Sequence, residues 1–146
     1  MSPEPEMIDV RLGRIVIQDG LSHQYIYINE PDGKRGFPIV IGNTEADEIS
    51  RVVHKEEPPR PLTHKLCYDT ILALGAKISR IDIVDLTDNT FFAKLILQDE
   101  SGNTVASVDA RPSDAIALGM RSACPIRVAK HVLEQAAVDD EAPPEE

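Results

Sequence analysis

The segment Val108-Asp109-Ala110-Arg111-Pro112-Ser113-Asp114-Ala115-Ile116-Ala117-Leu118 constrains this chain more than any other. Up to residue 110 apolar and polar types alternate, the period of a strand with one buried face. From residue 113 to about 121 the pattern is apolar almost all round, which suits a helix only if several sides of it are buried. A strand that runs straight into such a helix needs a sheet beneath it and further elements around it. The junction also packs Asp109, Arg111, Ser113 and Asp114 into six residues. A strand end feeding a helix N-terminus is a common place to hold an anion or build a site.

The rest of the chain supplies those elements. Residues 7–18 and 22–29 read as strands joined at Asp19-Gly20, a hairpin signal. A third strand passes through Phe37-Pro38-Ile39-Val40-Ile41, where Pro38 favours an edge or a strand start. A helix is predicted over about 44–54, with Thr44 and Asp47 as a capping box. Pro58, Pro59 and Pro61 forbid helix between it and the next one, about 64–74, which Thr63 is expected to cap. In that helix Leu66, Cys67, Thr70, Ile71 and Leu74 form a stripe expected to be buried, and Gly75 ends it. Strands follow near 77–86, 91–98 and 103–110, with turns at Asp88-Asn89 and Glu100-Ser101-Gly102-Asn103. After the junction helix come an extended segment at 123–127 and a helix at about 129–137. Runs of strands interrupted by helices indicate an α+β fold, a largely antiparallel sheet of six to seven strands with about four helices in a single domain. That domain is placed at 7–137, with disordered segments expected at 1–6 and in the acidic tail 138–146.

Charge narrows the function classes. The net charge is −10, but seven of the 25 acids lie in residues 1–6 and 139–146, leaving a body near −3. Such a body offers no broad attraction for phosphate backbones, which argues against tight non-specific DNA binding. No apolar run approaches the roughly 20 residues that span a bilayer, and the acidic start is no signal peptide. With Cys67 and Cys124 as expected buried free thiols, the reading is a cytoplasmic protein.

Candidate chemistry gathers around the junction. Alternation places Asp109 and Arg111 side by side on one strand face, about 7 Å apart at Cα. Pro112 suits the first helical position, and a helix start explains Ser113 and Asp114 cheaply. His64, at another helix start, is the natural general acid or base because imidazole titrates near neutrality. Glu45 sits in the first turn of its helix, where dipole compensation explains it equally well. Asp85 shares a face with Ile81 and Ile83 and reads as a strand-end residue turning to solvent. His23, His54 and His131 read as surface residues. No P-loop, dinucleotide Gly motif, HExxH or CxxC pair occurs.

Four blocks in order, Phe37-Pro38-Ile39-Val40-Ile41-Gly42 with Glu45-Ala46, Pro59-Arg60-Pro61-Leu62-Thr63-His64, Leu74-Gly75-Ala76 and Asp109 to Leu118, closely resemble the bifunctional nuclease domain family. The resemblance covers roughly 7–137 and implies a compact α+β domain, a homodimer, and activity on RNA and DNA. The family's polar positions map onto Glu45, Arg60, Thr63, His64, Asp109, Arg111, Ser113 and Asp114. The helix end Gly119 to Ile126 is less aliphatic than is usual in the family. The resemblance assigns no catalytic roles; by their chemistry Asp109, His64 and Asp114 are assigned to catalysis, with His64 as general base or acid. Arg111, Arg60, Ser113 and Thr63 are assigned to substrate, the arginines by charge-assisted hydrogen bonds to phosphate. Asp109 and Glu45 are the expected ligands of a divalent cation such as Mg²⁺. The alternative is a non-catalytic domain that binds an anion, a ligand or a protein through the same junction.

Overall fold

A computed structural model describes residues 5–17 and 23–139. Three strands come first, β1 (Met7–Val16), β2 (His23–Asn29) and β3 (Arg35–Gly42), followed by helices α1 (Asn43–His54) and α2 (Thr63–Ala73). Next are β4 (Lys77–Thr87), β5 (Thr90–Gln98), β6 (Thr104–Ala110) and α3 (Pro112–Ser122). The chain continues with β7 (Ile126–Ala129), α4 (Lys130–Ala136) and the two-residue β8 (Val138–Asp139). The strands form one sheet in the order β6-β5-β4-β7-β1-β2-β3-β8, antiparallel except where β4 runs beside β7. The expected α+β class and single domain hold. β8 carries the ordered fold two residues beyond the expected boundary at 137, while the Asp19-Gly20 hairpin turn lies outside the described residues.

β1 joins two half-sheets. Its residues Met7 to Val10 pair with β7, and Arg11 to Val16 pair with β2. The halves curl towards each other, so Phe37 on β3 stacks on Phe91 on β5 with ring centroids 5.3 Å apart. Ile26, Ile28, Ile49, Ile81, Ile83, Ile116, Val128 and Leu133 are fully buried in an aliphatic core. The junction helix α3 packs on β4, β5, α1 and α2, as its all-round apolar character requires. Gly119 permits that approach, because a methyl group there would run into Ile81 Cδ1. Asp88 and Asn89, with φ of 52° and 62°, give β4 and β5 a tight turn of the mirror-image kind.

Several local expectations fail for identifiable reasons. Gly42, not Thr44, is the N-cap of α1, and Leu62, not Thr63, is that of α2; neither end has a side-chain cap. The α2 stripe is not buried in the monomer. Leu74 is 82% exposed, and Leu66, Cys67 and Thr70 are exposed as well, while His64, Lys65, Tyr68 and Ile71 turn inward. Alternation and helical spacing identify a face but not what covers it. Asp85 is exposed at the end of β4, as expected. No helix among the described residues is long and apolar enough to cross a membrane.

Candidate active site at the start of α3

Arg111 leaves the end of β6 in extended conformation and serves as the N-cap residue of α3, with Pro112 in the first turn. From there its guanidinium reaches in two directions. Nε donates to Asp114 Oδ2 at 2.8 Å, and a terminal nitrogen donates to the Glu45 carboxylate on α1. The other Asp114 oxygen, Oδ1, lies 2.8 Å from His64 Nε2 on α2. Three helices thus bring Glu45, Arg111, Asp114 and His64 into one chain of contacts. Gly42 keeps room for it, since a Cβ there would lie 2.8 Å from Glu45 Oε2.

Asp114 and Arg111 each have a shifted pKa. Burial raises the Asp114 pKa, but hydrogen bonds and charge from Arg111 and His64 outweigh it and hold the carboxyl below its ordinary value. Asp114 is therefore ionised at neutral pH and can only accept, so His64 Nε2 is the donor. That leaves Nδ1 as the basic nitrogen. The Arg111 pKa is raised, chiefly by the hydrogen bond to Asp114 and then by its charge and the bond to Glu45. Its side chain is still 66% exposed.

The other expected site residues stand apart. Asp109 lies across from Lys94 on β5, on the sheet face opposite the one that α3 covers. There it ends a row that crosses five strands, Asp109–Lys94–Asp82–Arg127–Asp9, with alternating charge. Asp82 at its centre is buried and accepts from Arg127 Nε at 2.9 Å, Arg127 Nη2 at 3.0 Å and Arg80 Nε at 3.0 Å. Cross-strand opposite charges stabilise a sheet, and this accounts for Asp109 without catalysis. The expected pairing of Asp109 with Arg111 fails because Arg111 has already left the strand. Arg60 and Thr63 are exposed, and their side chains make no hydrogen bond or ion pair among the described residues. Ser113 is buried in the first turn of α3.

The expected cation ligands do not fit a metal centre. Asp109 and Glu45 lie on different faces, Glu45 and Asp114 are engaged by Arg111, and no cluster of three His, Cys, Asp or Glu side chains with metal-binding geometry occurs among the described residues.

A second ionic cluster escaped sequence reasoning. Glu48, one turn after Glu45, is buried to 2% side-chain exposure between Arg51 at 2.9 Å and Arg121 of α3. A glutamate beside Ala46 and Ile49 on the inward face of α1 was the available signal, since a buried carboxylate demands a partner.

The fold and the motif blocks agree with what the chain is similar to. The model of the bifunctional nuclease domain matches residues 26–141. An uncharacterised protein of Mycobacterium tuberculosis is 40% identical over 130 residues, 89% of this chain and 76% of that protein. Bifunctional nuclease 1 of Oryza sativa subsp. japonica is 24% identical over 119 residues, covering 80% of this chain but 36% of the rice protein. The bifunctional nuclease of Oryza minuta matches to the same extent. With the motif blocks in order and a family model spanning most of the sequence, the chain belongs to the bifunctional nuclease domain family.

Proposed function

We propose that the protein hydrolyses phosphodiester bonds of RNA and DNA at the Glu45–Arg111–Asp114–His64 network. The observation that carries this reading is the 2.8 Å contact of His64 with Asp114 beside an exposed arginine. Glu45 and Asp114 clamp Arg111 from two sides and leave its remaining N–H groups free for phosphate oxygens. His64 Nδ1 takes a proton from the attacking water, and Asp114 stabilises the imidazolium that forms. The water oxygen bonds to phosphorus as the bond to the leaving sugar oxygen breaks, and His64 returns the proton to that oxygen. Ser113 belongs to the substrate side, while Arg60 and Thr63 contact substrate only at the rim. The protein acts in the cytoplasm, with both cysteines as free thiols, and as a homodimer in which a second copy covers the apolar outer face of α2.

The test is cleavage of labelled RNA and DNA by rigorously purified protein, with and without EDTA. His64→Ala and Asp114→Asn are each expected to lower the rate about 100-fold or more, while Asp109→Asn leaves it unchanged. Cleavage that survives every substitution would belong to a contaminating nuclease and would sink the reading. The four network groups also satisfy one another, which favours the second reading, a non-catalytic binding domain. Nucleotide binding without cleavage by the wild type would establish that one instead.

A further inference from the structure

We infer that the groove beside Arg111 is a single-nucleotide subsite, which makes the protein selective for unpaired RNA or DNA; the inference rests on the phosphodiester reading above. The groove has a volume of about 310 Å³ and runs between β3, the β4–β5 turn and the first turn of α3. Along Pro38 to Gly42 the outer edge of β3 is open, because β8 pairs only with Arg35 and Gly36 among the described residues. The open volume sits at the small end of ligand sites, enough for one nucleotide and its phosphate.

The α3 end of the groove is built for an oxyanion. Ser113 lines it, is 6% exposed and has no hydrogen-bond partner among the described residues. Among the described residues the side-chain atoms sealed from solvent without a partner are Asn29 Oδ1 and Arg121 Nε, so the unpartnered Ser113 hydroxyl keeps some access to solvent. The N–H groups of Ser113 and Asp114 have no intrahelical acceptor at this position, and no side chain caps them. Arg111 lines the same end. A hydroxyl, two main-chain donors and a guanidinium at a helix N-terminus match the oxygens of a phosphate.

The other walls suit a nucleobase. Val40, two-thirds exposed, and half-buried Phe91 both line the groove, and each offers an apolar group against which a base can lie. Asn89, exposed in the turn, places an amide within the lining to meet a base edge. A base inside a duplex is stacked and paired and reaches such walls only after flipping out at a cost. A base in a single strand is already free to turn aside. The selectivity for unpaired nucleotides follows from that difference.

The test uses the whole chain in EDTA, wild type beside His64→Ala, so that binding is read without cleavage. Nitrogen-labelled protein is titrated with inorganic phosphate, adenosine and adenosine monophosphate while amide shifts are followed. Phosphate alone should move the amides of Ser113 and Asp114, and the nucleotide should also move Val40, Asn89 and Phe91. By anisotropy, a labelled single strand should bind at least about tenfold tighter than its duplex. Val40→Glu should weaken that binding about tenfold, whereas Val53→Glu, at an exposed apolar position on α1, should not. Equal affinity for the duplex, or shifts that bypass both Ser113 and Val40, would overturn the subsite. Nucleotide binding at these amides in a protein that never cleaves would leave the subsite standing and remove only the phosphodiester reading.

Discussion

Glu48 shows how one buried carboxylate can set a pH dependence. Burial alone would raise its pKa, but the hydrogen bonds and charges of Arg121 and Arg51 prevail and hold it below the ordinary value. A carboxyl whose pKa is lower folded than unfolded contributes stability that is fully present above the unfolded value, about 4.3. That contribution is lost as pH falls through the folded value. Asp114 acts in the same direction. Replacing Glu48 by Gln leaves two arginines around a neutral group, and removing one partner of a buried pair costs about 3 kcal/mol. Urea unfolding at pH 7 should therefore show Glu48→Gln less stable than the wild type, and the gap should narrow towards pH 3. A gap that is constant with pH would contradict the account. At this scale the sequence singled out Glu45, His64, Arg111 and Asp114 one by one, because each sits at a helix start, but not the contacts that join them across three helices. It set Asp109 beside Arg111, whereas strand register places Asp109 across from Lys94, and register is a non-local quantity that alternation alone does not give.

At the scale of elements, α2 carries a conflict between sequence and monomer. An apolar helix face normally lies buried, yet this helix turns His64, Lys65, Tyr68 and Ile71 partly inward and shows Leu66, Cys67 and Leu74 to solvent. The periodicity was legible and its covering was not, because no single-chain pattern says whether a face meets its own core or another molecule. The strands were legible for the opposite reason. β4, β5 and β6 are closed by short turns whose residues, Asp88, Asn89 and Gly102, adopt the positive φ that turn chemistry requires. If a second copy covers α2, a charge on that face should separate the dimer while leaving the fold intact. The double variant Leu66→Glu/Leu74→Glu is expected to sediment as a monomer with an unchanged circular dichroism spectrum and a melting temperature set by the monomer. A wild type that is itself monomeric at high micromolar concentration would refute the dimer.

For the whole molecule, the proposed function raises the question of how an acidic protein would engage a polyanion. The chain carries −10 overall, and close to −3 once the acids of its two ends are set aside. Much of its basic charge is already committed, with Arg35, Arg51, Arg80, Arg121 and Arg127 all engaged by carboxylates. Affinity for nucleic acid therefore cannot come from counterion release along a basic face. On the proposed function it comes instead from a few donors at the start of α3 and from apolar contact in the groove. Each phosphate neutralised on a single strand contributes about −0.7 to the slope of log K against log salt. One or two such contacts at Arg111 and the α3 terminus predict a slope of about −1, so that affinity changes only a few-fold between about 50 and 200 mM salt. Anisotropy titrations of a labelled single strand across that range measure it directly. A slope of about −5 or steeper would require about seven or more cations on the backbone. That would move the binding surface away from α3 to a face where several lysines and arginines act together.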